Sequence, residues 1–482
     1  MVSFYKTGAD RSQHQLFPPS LDEFVDDNNC VRAIDDYVSI LDFDKLGFKD
    51  TRQSTRTDGQ KAYSPQLLLK IYIYGYLNKI RSSRMLEREC KRNIEMMWLT
   101  QSLVPSYHTI ADFRKDNPKA LKGVFREFVL LCKKLELIGD GIKAVDGAFL
   151  KANASKNQLI MKKNLEKDLI KIEKYLATLD TTDSQNQPLD ITSNIPKDLN
   201  KLKAKQQKIT AGLELLNKLN KNQHNFTDPD ASLMKKAAHN LVAYNAQIVV
   251  DDKQKLIIAT SVSSKGNDTE QLHKMSFQAK NILESKTINI VADAGYYSAK
   301  EIKKCCDQNI KVIVPEVNRN QAKITQGQFS RADYKYDEDS DCYICPNNVK
   351  LNKTKSKQNK NGKIYFKYVS PAALCNSCPL KAQCFGQKSK YKQLYRWEHE
   401  AVIDTHKLKM ETTNAKEMVK KRGSIVEHPF GTIKRTLGWD HYLVRGKEKV
   451  SGENALIMFA YNFKRVLNIL GESAFRSLIQ EA

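Results

Sequence analysis

The chain has 482 residues and carries 79 Lys and Arg against 55 Asp and Glu, a formal net charge of +24 at neutral pH. Such a surplus is unusual for an enzyme of small molecules and predicts an anionic polymer as partner, with a generally basic, solvated surface as the alternative. The N-terminus lacks the apolar segment of an export signal, and the longest apolar run, 67–77, contains Lys70 and is too short to cross a bilayer. Ten cysteines in such a chain predict a reducing compartment, with thiols or metal sites in place of disulfides.

Helix signals dominate the first part of the chain, throughout 61–136. Several of these helices are short and basic, including those that contain Arg81, Arg84 and Arg114, and tight turns join them. This pattern is typical of a helix-turn-helix DNA-binding module, although a plain helical bundle with solvated basic faces fits it equally well. We assign 1–136 to an α-helical N-terminal domain.

From about Ile142 the apolar pattern changes to the period of two that is typical of a β-strand. Two heptad-spaced segments, 165–179 and 199–216, then predict an antiparallel helical hairpin inserted at about 158–225, which we interpret as a packing or assembly element. Afterwards the signals follow the order β-hairpin, helix, strand, helix and strand. This order predicts a mixed α/β sheet in 137–317.

Residues 318–397 form a basic, cysteine-containing insertion, which we expect to be irregular. No Asp or Glu occurs from Pro346 to Trp397, and lysines are interleaved with tyrosine and phenylalanine. Basic and aromatic side chains together suit phosphates and unstacked bases, with a solvated basic loop as the alternative. Residues 398–482 are predicted to be helical again.

Two carboxylates interrupt apolar strands: Asp146 lies within one, and Asp293 lies at the end of another. A lone aspartate at such a place is often a turn cap or an ion-pair partner, but a buried carboxylate is costly unless it is paired or bound to metal. If both meet at one edge of the sheet, they could hold metal ions for an in-line displacement at phosphorus, which requires a third acidic ligand. Glu427 is the best candidate, because apolar residues flank it and a basic helix follows, with Lys434 two turns further on the same face. Asp268 is expected to lie in a loop and to cap a helix, with no part in the chemistry.

The cysteines of the basic insertion form two pairs, each with two residues between its members. Cys342 and Cys345 make the first pair, and Cys375 and Cys378 make the second, with Cys384 following. Tetrahedral Zn²⁺ prefers such pairs. We therefore predict structural Zn²⁺ at the two pairs, with reduced surface thiols as the alternative.

Several motifs closely resemble those of bacterial insertion-sequence DDE transposases, most like the insertion-sequence family 1182. They include "VDGAFLKANASK", "VADAGYYS" and "VEHPFGTIKRTLGWDHYLVRGKEKVSGENALIMFAYNFKRVL", and "SPQLLLKIYIYGYLNKIRSSRMLEREC" resembles that family's N-terminal domain. The resemblance runs along nearly the full chain in the same order. It implies an RNase H-like catalytic core whose acidic triad falls on Asp146, Asp293 and Glu427, with Lys434 matching the lysine that follows the glutamate. Those relatives also have a tyrosine and an arginine before the glutamate; Arg422 is one position off the common spacing, and no tyrosine fits.

The fold class implied is α/β: an RNase H-like catalytic core with an α-helical N-terminal DNA-binding domain and an inserted helical hairpin, in which 398–482 completes the core. The triad would hold Mg²⁺ or Mn²⁺, which activates water and then a DNA 3′-hydroxyl for attack on a phosphodiester. The implied partners are double-stranded DNA, as terminal inverted repeats and target, and further copies of the chain, with no membrane, in the bacterial cytoplasm at the nucleoid. The residues expected to contact DNA are Lys434, Arg435, Arg422, Arg81, Arg84 and Arg114.

Two other functions remain compatible with the sequence. One is an RNase H-like DNA nuclease that does not perform strand transfer. The other is an inactive, transposase-derived DNA-binding protein, although such a remnant would be expected to have lost a triad carboxylate, and all three are present.

Overall fold

The computed structural model describes residues 19–49, 62–182, 199–236, 239–316, 327–360, 362–385 and 389–481. The helices are α1 (Cys30–Ser39), α2 (Phe43–Leu46), α3 (Pro65–Leu77), α4 (Ser83–Arg92), α5 (Ile94–Thr100), α6 (Tyr107–Asp116), α7 (Pro118–Lys134), α8 (Lys162–Thr182), α9 (Leu199–Lys218), α10 (Leu272–Ile282), α11 (Ala299–Asp307), α12 (Ala372–Asn376), α13 (Lys381–Cys384), α14 (Glu400–Glu411), α15 (Thr413–Gly431), α16 (Lys447–Leu470) and α17 (Glu472–Gln480). The strands are β1 (Ile142–Lys151), β2 (Leu159–Met161), β3 (Gln223–Asn225), β4 (Ser232–Lys236), β5 (His239–Asp251), β6 (Ile257–Ser263), β7 (Ile288–Val291), β8 (Ile310–Ile313), β9 (Lys335–Asp337), β10 (Cys342–Ile344), β11 (Lys350–Lys360), β12 (Lys363–Val369) and β13 (Gln393–Trp397).

A six-stranded mixed sheet forms the centre of the α/β part. β1 pairs antiparallel with β5 and parallel with β7, and β8 continues the parallel side. β4 and β6 both pair antiparallel with β5. The apolar, β-branched runs predicted these strands, and the order hairpin, α10, β7, α11, β8 is confirmed. The strand order and directions are consistent with an RNase H-like core.

Helix α16 joins the N-terminal helices to the sheet. It packs against α3 and α7 on one side and against β6 on the other, so a single hydrophobic core extends from α1 to α17. The Phe459 ring lies 5.4 Å from that of Tyr37 and 5.0 Å from that of Phe128, centroid to centroid. The predicted helices of 61–136 are confirmed, and they share their core with the sheet. No helix among the described residues is long and apolar enough to cross a membrane.

The inserted pair of helices, α8 and α9, is confirmed as an antiparallel hairpin. Lys162 Nζ donates to Asn217 Oδ1 at 2.8 Å, which places the start of α8 beside the end of α9. The two helices pack through a small core of their own, centred on Ile172, Leu202 and Ile209. Most of the polar loop predicted between them lies in 183–198, outside the described residues.

The basic insertion contains a second sheet of five antiparallel strands, β9 to β13 in sequence order. The prediction of irregular structure is therefore wrong. Lysines recur along β11, and aromatic residues lie on the neighbouring β12. A lysine can cover an aromatic ring with its stem while its ammonium group stays in water. Lys353 Nζ, for example, lies 4.2 Å from the centroid of the Phe366 ring on the neighbouring strand.

Candidate active site

The two predicted aspartates lie at neighbouring strand positions in the mixed sheet. Ala144 of β1 pairs with Val291 of β7 in parallel register, and Asp146 and Asp293 each follow two positions later. Parallel strands that share a register bring such positions side by side. Asp293 also begins a short 3₁₀ turn, because its Oδ1 accepts a hydrogen bond from the Gly295 amide at 2.9 Å. The structure thus brings both carboxylates to one edge of the sheet.

One arginine connects the two carboxylates. Arg422 Nη1 lies 3.4 Å from Asp146 Oδ1, and Arg422 Nη2 lies 3.6 Å from Asp293 Oδ2. The guanidinium projects from α15, which packs against β1. Arg422 was predicted as a DNA contact, and in this structure it is the cation that the two aspartates share.

Burial raises the pKa of Asp146, and the negative charge of Asp293 adds to this effect. Arg422 and the Gly147 amide oppose the shift without cancelling it. The side chain of Asp146 is 23% exposed, whereas that of Asp293 is 43% exposed. Asp146 is therefore a carboxylate whose charged form is poorly solvated, and a further cation close to it would be favourable.

Glu427 lies on the same helix as Arg422, with an exposed side chain directed back over Gly423. A Cβ atom added at Gly423 would lie 3.5 Å from Glu427 Oε1. Among the described residues, no three His, Cys, Asp or Glu side chains are placed to hold a metal ion. The structure therefore pairs Asp146 with Asp293 and leaves Glu427 on the adjoining helix, without the convergence that a metal-bound triad requires.

The end of α15 departs from a regular α-helix. Pro429 lies inside the helix, and a π-helical turn, Thr432–Thr436, follows and contains Lys434. A π-helical turn has more residues per turn than an α-helix, so the spacing that would place Lys434 on the face of Glu427 does not apply. Lys434 Nζ instead lies 5.6 Å from the centroid of the Phe430 ring.

The predicted DNA contact of Arg114 is wrong. Its side chain is only 7% exposed, and its Nη1 lies 3.5 Å from Oε1 of the fully buried Glu453. The same nitrogen donates to the Tyr76 hydroxyl at 3.2 Å. Arg114 therefore joins α6 to α16 inside the core and is shielded from a phosphate.

The other predicted arginines differ in accessibility. Arg81 is half-buried, stacks 4.3 Å over the Trp439 ring and donates to the His441 carbonyl oxygen at 2.6 Å. Arg84 is exposed and lies 4.8 Å from the centroid of the Tyr107 ring, and Arg435 is exposed after α15. Arg84 and Arg435 are accordingly the most accessible members of the predicted DNA-binding set.

A carboxylate that the sequence assigned to a loop and helix cap also lies beside the aspartate pair. Asp268 Oδ1 accepts hydrogen bonds from Asn245 Nδ2 at 2.8 Å and from Gln247 Nε2 at 2.6 Å. A Cβ atom added at Gly147 would lie 3.0 Å from Asp268 Oδ1, and one at Gly295 would lie 3.9 Å from Oδ2. Asp268 thus faces the glycines that lie close to both aspartates in the sequence. The sequence feature that could have indicated this position is the polar pair Asn245 and Gln247, at alternate positions of an apolar strand.

Three of the four predicted zinc ligands line one cavity beside the second sheet. Cys345, Cys375 and Cys378 line it together with Cys384, which followed the predicted set. Cys342 lies in β10, 1% exposed, and is not among the lining residues. All ten cysteines are free thiols.

Comparison with known families identifies the class of enzyme. A family described as "Transposase DDE domain" matches residues 344–467, which include Glu427, and one described as "Transposase domain (DUF772)" matches residues 19–116. The chain carries a transposase DDE domain. It is accordingly an enzyme of the DDE transposase class, and such a domain implies dependence on a divalent metal in general.

The two matches are in keeping with a transposase of an insertion-sequence family, and membership of family 1182 stays a prediction. Among solved structures, a piggyBac transposase synaptic complex with hairpin DNA is similar at 8% sequence identity. That similarity covers 94% of this transposase and 76% of the other chain, at a TM-score of 0.30, which is too low for a shared fold to follow. No curated protein matches the chain.

Asp146→Asn should raise the thermal stability of the metal-free transposase at neutral pH. The pKa of Asp146 is raised in the folded state. The protonated side chain therefore contributes fully to the stability of the fold below the ordinary aspartate pKa, and this contribution is lost as the pH rises through the raised pKa. Asparagine does not ionise, so the variant escapes this loss. Calorimetry in a chelating buffer should therefore give the variant the higher Tm at neutral pH and nearly equal values in acid, with Asp140→Asn as control; a lower Tm at neutral pH would contradict the assignment.

Arg422→Gln should strengthen Mn²⁺ binding in the absence of DNA by about fivefold, since a partly exposed ion pair is worth about 1 kcal/mol. Arg422 forms ion pairs with both Asp146 and Asp293. If these two carboxylates are metal ligands, the guanidinium competes with the metal, and the substitution removes this competitor. Electron paramagnetic resonance of free Mn²⁺ measures the affinity directly. Lys421→Gln removes a neighbouring exposed charge and should have little effect; equal affinities for both variants would exclude competition by Arg422.

Asp268→Asn should slow DNA cleavage by about 10–100-fold, the usual loss when a residue that supports metal ligands is changed. The asparagine can still accept both hydrogen bonds at its Oδ1, but it loses the negative charge, and its amino group replaces Oδ2, the oxygen on the side of Gly295. If Asp268 positions the site, the metal concentration for half-maximal cleavage should also rise, which general destabilisation would not produce. Glu270→Gln, an exposed change two positions later, is the control; an unchanged metal requirement would rule out a positioning role.

Proposed function

We propose that the protein is the transposase of a bacterial insertion sequence, which binds the ends of its element and then cleaves DNA and transfers the strand. One observation carries the proposal: Asp146 on β1 and Asp293, two positions after the end of β7, both pair with Arg422 from the helix that contains Glu427. A family match to a transposase DDE domain over the glutamate-bearing region supports it.

The residues at this edge of the sheet fit a divalent metal in part. Asp146 and Asp293 already share one cation, the Arg422 guanidinium, and hard oxygen ligands of this kind suit Mg²⁺ or Mn²⁺. Glu427 would be the third ligand. A bound metal would supply activation of the attacking oxygen and stabilisation of the leaving oxygen.

The chain's own residues would hold the DNA. The net charge of +24 favours a polyanion, and exposed Arg84 and Arg435 are available for phosphate contacts. Arg422, once displaced from the aspartates, would face the same phosphates together with Lys434. We infer that the partner is double-stranded DNA, both the terminal inverted repeats and the target. We also infer that the active form is a homo-oligomer and that the protein acts at the nucleoid in the cytoplasm.

The test is a strand-transfer assay with the full chain. Labelled DNA with the two gene-flanking element ends is incubated with the protein, Mg²⁺ and a target plasmid, and DNA with scrambled ends serves as control. Labelled ends joined to the plasmid are the expected result. Cleavage without joining would favour an RNase H-like nuclease, and end binding without cleavage would favour an inactive DNA-binding protein; either outcome would overturn the proposal.

A further inference from the structure

Four cysteines surround one cavity beside the second sheet. Cys345 follows β10, Cys375 lies in α12, Cys378 follows that helix, and Cys384 ends α13. Apolar side chains form much of the remaining lining: Phe329, Val349, Leu351, Leu374 and Leu380. Four sulfur atoms around a mainly apolar cavity are the donor set of a structural Zn²⁺ site.

The connection between β12 and β13 has no core of its own. No described residue from 371 to 392 is buried, and neither α12 nor α13 contains a buried side chain. The sheet beside it is centred on a small cluster of buried residues: Tyr334, Tyr343, Leu351 and Tyr368. A unit with so little buried apolar surface commonly depends on a disulfide or a metal ion, and its cysteines are free thiols.

Each sulfur of the group already lies beside a hydrogen-bonding partner. The Val349 amide donates to Cys345 Sγ at 3.3 Å, and Asn347 Nδ2 donates to Cys378 Sγ at 3.5 Å. Two hydroxyl oxygens also lie beside sulfur atoms, Ser370 Oγ at 2.8 Å from Cys375 and Tyr334 OH at 3.0 Å from Cys384. Donors of this kind stabilise thiolate sulfur and orient metal ligands.

Positive side chains lie beside the sulfur atoms: Lys392 Nζ, for example, donates to the Cys384 carbonyl oxygen at 2.7 Å. Lys381 and Lys392 both line the cavity. A Zn²⁺ ion with four thiolates carries a net charge of −2, which the two lysines would balance.

We propose that Cys345, Cys375, Cys378 and Cys384 bind one structural Zn²⁺, which fastens the β12–β13 connection to the second sheet. Four Zn–S bonds form as the thiols release their protons, without oxidation or reduction. Among the described residues no three such side chains lie close enough to share a metal ion, so binding would draw the four sulfur atoms together. The set differs from the sequence prediction, since Cys384 replaces Cys342, and it does not depend on the proposed transposition.

The test measures metal in the full chain after dialysis against a mild chelator, by plasma mass spectrometry. The expected content is about one Zn²⁺ per chain. Cys384→Ser and Cys375→Ser should lose most of it, whereas Cys342→Ser and the surface control Cys306→Ser should retain it. Retention by Cys384→Ser together with loss by Cys342→Ser would restore the original pairs and overturn the proposal.

A second measurement uses the unaltered chain and so avoids any folding defect of a variant. Zinc is removed with a mercurial reagent and a thiol, and Co²⁺ is added in its place. The expected result is the charge-transfer absorption of cobalt bound to thiolates, with the intensity of four sulfur ligands. A folded chain that takes up neither Zn²⁺ nor Co²⁺, or mass spectra that show a disulfide between two of the four cysteines, would overturn the proposal.

Discussion

Glu427→Gln is expected to abolish DNA cleavage while leaving binding to DNA ends nearly unchanged, and Asp146→Asn and Asp293→Asn should do the same. Loss of one carboxylate ligand removes several kcal/mol of transition-state stabilisation, so the rate should fall by at least about 10³-fold. The glutamine keeps the size of a side chain that is exposed in this structure, and therefore the fold should be unaffected. Single-turnover cleavage with Mg²⁺ measures the rate, and fluorescence anisotropy measures the binding.

Matched controls distinguish the loss of a triad residue from the loss of any exposed carboxylate. Glu417→Gln changes another exposed glutamate on α15, and Asp140→Asn changes an exposed aspartate just before β1. Both should cleave at the normal rate. A triad variant that cleaves as fast as these controls would remove its residue from the active site.

The Glu427 result is the most informative of the three, because this residue does not join the aspartates in the structure. A movement of the helix end is the simplest way to bring it closer. Pro429 interrupts the hydrogen bonding of α15, and the π-helical turn that follows is a second irregularity. The last turns of α15 are therefore where a shift of Glu427 toward the sheet is least costly.

The sequence predicted the aspartate pair well because both parts of the signal are local. A period of two identified the strands, and Asp146 and Asp293 interrupted them with charge that apolar neighbours cannot solvate. The heptad spacing of α8 and α9 was equally local and correctly predicted their packing. Patterns within about 20 residues therefore predicted the strands and helices and the two aspartates that the sheet brings together; their catalytic role stays a prediction.

What the sequence did not predict depends on contacts between distant segments. Nothing near Arg114 indicates that it pairs with Glu453 in another helix. Arg422 was one position off the expected spacing, and only the packing of α15 on β1 places it over both aspartates. Asp268 is connected to the site through the side chains of a different strand.

DNA affinity should fall by about 10³–10⁵-fold between about 50 and 200 mM salt, the range for proteins that contact roughly six to ten phosphates. A net charge of +24 favours many such contacts. The logarithm of the association constant plotted against the logarithm of the salt concentration should be linear, with a slope of about −0.9 per phosphate contact. An affinity that does not depend on salt would contradict a polyanionic partner.

Exposed lysines of the second sheet allow a test of where the phosphate contacts lie. Lys355, Lys357 and Lys360 are exposed on β11, so changing all three to glutamine should reduce the steepness of the salt dependence by up to about 2.7 if each contacts one phosphate. The matched control changes three exposed lysines of α8 to glutamine, with the same loss of charge: Lys163, Lys167 and Lys171. Since α8 packs in a separate hairpin, its variant should keep the original slope. Equal salt-dependence slopes for the two variants would mean that net charge, and not the second sheet, accounts for the affinity.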